Sequence, residues 1–410
     1  MNSLLLSFTA LLILVLSALF AAPLFIDWND YRHVFETQAT KLLGREVKVD
    51  GKVHLVLLPA PELKFDEVKV ADEQGRLDLP FLEARSIEAG LNIGALLTGT
   101  FEARKIVIVD PILRLDVKAD GTGNWRDVGR PGVALPFAPK EVMLDSVSVS
   151  GGRIEIAKEG IEQLILNDVD GELSASSLAG PYKVSATYDF ESRRQELRFS
   201  TSETDAAGLF RIKAALRDPE LHTNYAFDGA VSGLGTGPSY DGNFTMRIAS
   251  AAADMPSAIV MEPAEEADGE QPSPASKPAD DPSFVELKGP LKATPDRAEL
   301  PEFDLTIHAN GRPQILEGSL ALDFGVPFKA DGRLAARFID LDALFGVANE
   351  GTKPSPAAVL YMFAEWVLDE AQAIGEAALT LELEQAGLGG DLVGDLDMEL
   401  VSSDGGVTIE

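Results

Sequence analysis

The sequence contains no cysteine and only four histidines, His33, His54, His222 and His308. Without cysteine the chain can form no disulfide, no thiolate metal site and no cysteine nucleophile. The four histidines are far apart in the sequence, which leaves few groups for acid–base or metal chemistry near neutral pH. The composition therefore predicts a protein that is not an enzyme and that holds no metal and no cofactor.

Basic residues are scarce relative to acidic ones. The chain of 410 residues has 35 Lys and Arg against 66 Asp and Glu, a net charge of −31. Nucleic-acid binding depends on clustered Lys and Arg that release counterions from phosphates, so we expect no nucleic-acid partner. The chain also lacks the Gly-x-Ser-x-Gly, His-Glu-x-x-His and Gly-x4-Gly-Lys-Ser/Thr motifs of common enzymes.

A long apolar run is present at the start, with no charged side chain from Leu4 to Ile26. At about 1.5 Å per residue a helix of this length reaches about 34 Å, enough to cross a hydrocarbon core of about 30 Å. A cleaved signal peptide would instead have a basic start, a shorter apolar core and a small-x-small cleavage site. Residues 1–26 are therefore predicted to form an uncleaved transmembrane anchor.

A helix is predicted to follow the anchor, over residues 27–43. Asp27 or Asn29 can cap its start, and Gly44 supplies its end. Its apolar residues fall on one broad face, namely Trp28, Tyr31, Val34, Phe35, Leu42 and Leu43. Two interpretations stay open, a helix at the membrane interface and an ordinary helix that caps a domain.

Beyond Arg45 the apolar residues alternate with period two, as in strands. An Asp50–Gly51 pair between two such runs predicts a β-hairpin, and a slip at Asp66–Glu67 indicates a β-bulge. Asp–Gly pairs recur at positions 120, 170, 228, 241, 331 and 404 and are interpreted as turns between antiparallel strands. The alternating apolar residues are Val47, Val49, Val53, Leu55, Leu57, Leu63, Phe65, Ile106, Ile108, Leu113, Leu115 and Val117.

Residues 251–283 interrupt this pattern. They include six prolines, eight acidic residues and a single basic one, Lys277. Such a composition cannot bury enough apolar surface to offset its conformational entropy, so a disordered linker is predicted between residues 27–250 and 284–410, with a calcium-binding tract as the alternative. A strand pattern resumes at Phe284, and a helix is predicted over residues 356–375. The chain ends on a strand, a turn and a strand; we expect either a longer product or pairing of the last strand with another partner.

The segment from about Phe25 to Trp125 resembles the AsmA family. The matching runs are Asp27-Trp-Asn-Asp-Tyr-Arg32, Gly44-Arg-Glu-Val47, Leu57-Leu-Pro-Ala-Pro-Glu-Leu63, Val109-Asp-Pro111 and Asp120-Gly-Thr-Gly-Asn-Trp125, with a weaker echo at residues 338–346. The resemblance implies a bacterial inner-membrane anchor, a periplasmic body and a long, strongly bent β-sheet that forms an open groove. It also implies a role in outer-membrane biogenesis, either in phospholipid transport between membranes or in the targeting of outer-membrane proteins. Family members usually continue into a further C-terminal region.

The predicted fold is therefore mainly β: a long curved antiparallel sheet that forms an open hydrophobic groove, with an N-terminal transmembrane helix and a few short helices. The twelve alternating residues given above are the candidate groove lining, in which each buried CH₂ of a lipid tail is worth about 0.8 kcal/mol. The alternative is that they pack against helices and another sheet.

Two functions are consistent with this sequence. The first is non-enzymatic binding of phospholipid for transport between the inner and outer membranes. The second is an anchored structural or regulatory protein that contacts outer-membrane or periplasmic assembly proteins. Arg32, Lys41 and Arg45, just after the anchor, would by themselves favour a cytoplasmic body. The family resemblance is more specific than three charges, so we expect the bulk of the chain in the periplasm.

Overall fold

The structure is a computed structural model that describes residues 27–56, 62–91, 103–118, 120–126, 128, 144–158, 161–175, 180–205, 208–233, 237–249, 283–309, 312–325, 327–344, 355–359, 376–403 and 406–409. The predicted anchor and nearly all of the predicted linker lie outside these residues. In the described part of the chain, no helix has the length and apolar character needed to span a bilayer. The chain divides into two compact units, Met1–Arg211 and Ile212–Glu410, called here the N-terminal and C-terminal units.

The N-terminal unit starts with helical structure where the sequence predicts it. A short 3₁₀ helix, Trp28–Tyr31, leads directly into helix α1, Arg32–Leu43. The carboxylate of Asp27 accepts a hydrogen bond from the Asn29 N–H at 3.0 Å and caps the first turn. Gly44 adopts the left-handed conformation that ends α1. The predicted helix is confirmed, with a 3₁₀ first turn.

The strands of the N-terminal unit form a mixed sheet. They are β1 (Val47–Val49), β2 (Val53–Val56), β3 (Glu62–Val70), β4 (Leu82–Leu91), β5 (Ala103–Val109), β6 (Ile112–Val117), β7 (Leu144–Lys158), β8 (Ile161–Ala175), β9 (Tyr182–Phe190) and β10 (Arg193–Thr201). β3 to β5 are antiparallel neighbours, β6 pairs antiparallel with β4, and β7 to β10 form an antiparallel meander. β7 lies parallel to β5 and β6. The sheet is therefore mixed, and the prediction of an antiparallel sheet is wrong for these pairs.

The predicted hairpin at Asp50–Gly51 is wrong. β1 and β2 both pair with β3, one after the other along the same edge. Val49 is opposite Val68 and Val53 is opposite Phe65. Between these two pairs the edge has three residues, 50–52, and β3 has two, Asp66 and Glu67. This is a β-bulge, and a Cβ on Gly51 would lie 2.6 Å from the Asp66 carbonyl oxygen. The bulge predicted at Asp66–Glu67 is confirmed, and Glu67 there has a φ of 54°.

The strands of the C-terminal unit form a second stretch of mixed sheet. They are β11 (Phe210–Asp218), β12 (Thr223–Ser232), β13 (Ser239–Ala249), β14 (Phe284–Ala293), β15 (Arg297–Ala309), β16 (Arg312–Asp323), β17 (Lys329–Ala336), β18 (Ile339–Asp340), β19 (Glu376–Leu388), β20 (Asp391–Ser403) and β21 (Gly406–Ile409). β12 to β17 form an antiparallel meander, which confirms that strand structure resumes at Phe284. β17 and β18 are parallel to β19, whereas β19 to β21 are antiparallel.

Two short helical segments belong to the C-terminal unit. Helix α2 is Leu341–Leu344, and residues 356–359 are helical. The helix predicted over residues 356–375 therefore begins at its predicted start, while residues 360–375 lie outside the described part of the chain. Leu341 of α2 and Val359 are fully buried against the side chains of β16 and β19.

Most of the Asp–Gly pairs are not turns. The pairs at 170, 228, 241 and 331 lie inside β8, β12, β13 and β17, which contradicts the sequence prediction. Asp120–Gly121 does form a turn, closed by the hydrogen bond from the Gly121 N–H to the Lys118 carbonyl at 2.9 Å. Asp404 and Gly405 lie outside the described residues, although Ser403 and Gly406 on either side of them pair antiparallel. The fold is mainly β, as predicted.

Candidate functional site

The sheet of the C-terminal unit has one apolar and one polar face. Phe227 of β12 is opposite Phe244 of β13, which is opposite Gly289 of β14. Directly opposed residues point to the same face, so the register can be followed across the sheet. From β12 to β20 that face carries Tyr225, Phe227, Gly229, Val231, Tyr240, Gly242, Phe244, Met246, Ile248, Val285, Leu287, Gly289, Leu291, Ala293, Ala298, Leu300, Phe303, Leu305, Ile307, Gln314, Leu316, Gly318, Leu320, Leu322, Ala330, Gly332, Leu334, Ala336, Ala377, Leu379, Leu381, Leu383, Leu396, Met398, Leu400 and Ser402.

Gln314 and Ser402 in that set are polar, as is Thr223, which is opposite Ile248 on the same face, and all three are buried. The Gln314 amide bonds the backbone of Asp340, accepting from its N–H at 2.7 Å and donating to its carbonyl at 3.3 Å. Tyr240 donates its hydroxyl proton to the Asn243 carbonyl at 2.9 Å, and burial raises the pKa of this phenol. None of the residues in that set is ionised at neutral pH, and Arg312, opposite Ala309, lies at one end of the same face.

The opposite face of this unit carries ion pairs. Arg297 donates to Glu299 at 2.5 Å and to Asp323 at 2.8 Å, and these hydrogen bonds raise the pKa of the guanidinium. Lys329 lies 2.7 Å from Glu376, whose hydrogen bond raises the pKa of the ammonium. These groups are exposed, so each pair adds little stability, but together they keep this face in water.

The helices among the described residues cover one end of the apolar face of the C-terminal unit. Around α2 and residues 356–359, the side chains of β16, β19 and β20 form a closed core. Toward β12 the face holds a separate cluster in which Leu291, Leu300 and Phe303 are buried. The side chains around that cluster are half-buried, and we define four of them, Phe227, Tyr240, Phe244 and Leu287, as the C-terminal patch. Its aromatic rings contact one another, with centroids of Phe227 and Phe244 5.0 Å apart.

The N-terminal unit repeats this arrangement. Its register aligns apolar residues from β5 to β10, for example Val147 opposite Leu173, then Val184, then Phe199. We define the N-terminal patch by its half-buried or exposed side chains Ile156, Leu164, Leu166, Val184 and Phe199, of which Leu164 is 39% exposed. Burial also raises the pKa of Tyr182 and Tyr188, the phenols on the same face of β9. Helix α1 covers the other end of the face, over β1 to β3.

The residues predicted from the sequence as groove lining divide into four groups. Val47, Val49, Val53 and Leu63 are buried in the core beneath α1. Leu55, Phe65, Leu113 and Leu115 are half-buried and pack against that core. Ile106, Ile108 and Val117 are half-buried outside it, and Leu57 lies outside the described residues. The lining function stays a prediction for all twelve, and the half-buried ones are those with surface left to contact a ligand.

Sequence reasoning missed both patches. The alternation is present in Leu164 and Leu166 and in Tyr240, Gly242 and Phe244, but glycines and Asp–Gly pairs inside the strands hide it. Counting glycine as an apolar-face residue would have revealed it. Among the described residues, no group of three or more His, Asp or Glu side chains could hold a metal ion.

A comparison with protein families decides the relationship. The sequence model of the AsmA family matches residues 1–257, which is more than half of the chain. The chain belongs to the AsmA family. No curated protein and no solved structure matches it. AsmA membership suggests a function in envelope biogenesis or lipid transport, and the matched region includes the N-terminal patch and strands β12 and β13 of the C-terminal patch.

Proposed function

We propose that this AsmA-family protein is a non-enzymatic phospholipid carrier that holds acyl chains on its apolar sheet faces and passes them between the inner and outer membranes. The observation that carries the proposal is the half-buried state of the two patches. The apolar face of a sheet is expected to be covered by other parts of the protein. Here the described helices cover one end of each face and leave aromatic and aliphatic side chains partly in water at the other.

The energetics favour a carrier over a fixed binding site. Each CH₂ group transferred from water to these faces contributes about 0.8 kcal/mol, so a single acyl chain provides ample affinity. The apolar faces carry few polar groups, and Arg312, the charged residue that the register places on the C-terminal face, lies at the end of that face. A chain displaced along such a face exchanges one apolar contact for another at little cost. Headgroups would remain in water beside the sheet.

The proposal includes the location of the protein. Residues 1–26 cross the inner membrane once, and the two units lie in the periplasm, where both membranes are accessible. A fusion of green fluorescent protein to the C-terminus tests this, because that protein does not fluoresce when exported unfolded to the periplasm. We expect a dark fusion, and a bright one would place the body in the cytoplasm and overturn the location.

Photo-crosslinking tests the binding face directly. A photoreactive amino acid at Phe244, on the apolar face, should form adducts with phospholipid, which mass spectrometry of the organic extract identifies. The same group at Thr245, the next residue on the polar face, is the matched control and should form none. Adducts of Phe244 with proteins, and none with lipid, would reject the carrier and favour the anchored structural or regulatory protein.

A further inference from the structure

Helix α1 has an outward apolar stripe as well as an inward apolar face. Phe35, Ala39 and Leu43 pack inward on the core of the N-terminal unit. Tyr31, Val34 and Leu42 point away from it and are 50%, 43% and 40% exposed. At 3.6 residues per turn these three side chains occupy a sector of about 80°, which also contains the exposed Gln38, so they form one outward and mainly apolar stripe. The broad apolar face predicted from the sequence is thus split between core and surface.

The stripe starts close to the apolar run of the sequence. That run ends at Ile26, two residues before the 3₁₀ helix begins at Trp28. Two extended residues span at most about 7 Å, and the rise to Tyr31 adds about 6 Å. An interfacial helix lies with its apolar face about 5–10 Å into the boundary between headgroups and acyl chains. A bilayer crossed by the apolar run is therefore within reach of the stripe.

Local charge permits contact with an anionic bilayer. Residues 27–52 contain five basic side chains, Arg32, Lys41, Arg45, Lys48 and Lys52, and five acidic ones, Asp27, Asp30, Glu36, Glu46 and Asp50, for a net charge of 5 − 5 = 0. The remainder of the chain then carries all of the −31. This segment carries no net charge, so it does not repel an anionic lipid surface as the acidic remainder of the chain does. Exposed Lys41 beside the stripe can extend its ammonium toward the headgroups.

We propose that the outward stripe, Tyr31, Val34 and Leu42, lies in the headgroup region of the bilayer that residues 1–26 cross. Helix α1 is then held between the membrane and the first strands of the sheet. The inference rests on the anchor in the proposed function and goes beyond it, because it assigns a second membrane contact. Its consequence is that the edge formed by β1 and β2 is held at the bilayer surface.

The absence of cysteine makes the test direct, because a single introduced cysteine can be labelled specifically. The full chain carrying Val34→Cys or Leu42→Cys is labelled with a nitroxide and reconstituted into vesicles of phosphatidylethanolamine and phosphatidylglycerol. His33→Cys and Thr37→Cys, exposed on α1 outside the stripe, are the matched controls. We expect spin labels at 34 and 42 to be accessible to oxygen and several-fold less accessible to an aqueous nickel complex than labels at 33 and 37.

Two results would overturn the inference. Equal access of the nickel complex at all four positions would place the stripe in water. Protection at 34 and 42 from both nickel and oxygen would indicate a protein partner, such as a second copy of the chain. The variant Val34→Asp/Leu42→Asp separates this contact from lipid carriage. In this variant α1 should leave the bilayer surface while a photoreactive group at Phe244 still crosslinks to lipid. If instead the stripe of the native chain lies in the membrane and the group at Phe244 forms no lipid adducts, only the carrier proposal is rejected.

Discussion

At the scale of single residues, glycines inside the strands allow close approach of neighbouring backbones. Gly229 and Gly242 are directly opposite in β12 and β13, on the apolar face. A Cβ built on Gly242 would lie 2.6 Å from both the Asp228 carbonyl oxygen and the Tyr240 hydroxyl, and closer still to the Cα of Gly229. The Asp–Gly sequences at these positions therefore serve strand packing and not chain reversal.

This crowding predicts that Gly242→Ala destabilises the C-terminal unit. The added methyl group meets backbone atoms that cannot move aside, so we expect a loss of about 1–3 kcal/mol. Gly394→Ala in β20 is the matched control, because its Cβ would meet only the Glu384 carbonyl at 3.7 Å. Hydrogen exchange of β12 to β14 measures the effect. Equal exchange in the two variants would contradict the proposed crowding.

A second prediction at this scale concerns Asp72, in the turn after β3. Its carboxylate accepts hydrogen bonds from the backbone N–H groups of Gln74 and Arg76, at 2.9 and 2.8 Å, and pairs with the Arg76 guanidinium at 2.6 Å. Burial alone would raise the pKa of Asp72, but the hydrogen bonds outweigh it and lower that pKa below 3.8. A carboxyl group of this kind stabilises the fold above pH 3.8, and its contribution is lost as the pH falls through the lower, folded-state pKa.

Asp72→Asn should therefore destabilise the turn at neutral pH by about 1–2 kcal/mol and by less in acid. Hydrogen exchange over residues 71–81, corrected for the intrinsic rate at each pH, measures the difference from the native chain. Asp78→Asn in the same loop is the control, since its carboxylate has no hydrogen bond among the described residues. A difference that grows in acid would show that the charge of Asp72 does not stabilise the turn.

At the scale of elements, α1 covers a sheet edge with its polar side chains. Three N–H groups of the edge strands donate to it: Val47 to Thr40 Oγ1 at 2.9 Å, Val49 to Glu36 Oε1 at 2.9 Å, and Val53 to Asn29 Oδ1 in the preceding 3₁₀ helix at 3.1 Å. These acceptors replace a neighbouring strand. An uncovered edge invites pairing with another chain, so α1 protects this one from aggregation.

Thr40→Val should expose the Val47 N–H without changing the volume of the side chain. We expect the loss of one hydrogen bond, about 1 kcal/mol or a fivefold faster amide exchange at Val47. Thr37→Val is the matched control, because Thr37 bonds only the His33 carbonyl within α1, at 2.7 Å. If both variants change Val47 exchange equally, the effect comes from the helix and not from edge protection.

The sequence predicts elements better than it predicts their partners. The Asp27 cap, the Gly44 end and the bulge at Asp66–Glu67 depend on a few adjacent residues, and the structure confirms all three. The hairpin at Asp50–Gly51 fails because alternation fixes which face a residue takes and not which strand it pairs with. Alternation also does not predict which of the candidate lining residues are buried. Val47 and Leu113 share an alternating pattern, yet tertiary packing beneath α1 buries the first and leaves the second half-buried.

At the scale of the whole molecule, the two units share one arrangement of sheet and helices. Each builds a sheet with an apolar face, covers one end of that face with helices, and leaves aromatic or aliphatic side chains partly exposed at the other end. The two patches are the surfaces on which the proposed lipid tails would bind. The net charge of −31 lies outside the residues of the two patches, and like-charge repulsion opposes association of copies through them.

A charge placed in a patch should therefore stop lipid binding without unfolding the sheet. Phe244→Asp puts a carboxylate where an acyl chain would remove its water, and burying an unpaired carboxylate costs several kcal/mol. Each 1.4 kcal/mol is a factor of ten, so we expect lipid transfer between donor and acceptor vesicles to fall at least tenfold. Thr245→Asp adds the same charge to the polar face and should transfer lipid at the native rate. Hydrogen exchange of β12 to β14 must match in the two variants, since general unfolding would also reduce transfer. Equal transfer by two equally folded variants would mean that acyl chains do not contact this face.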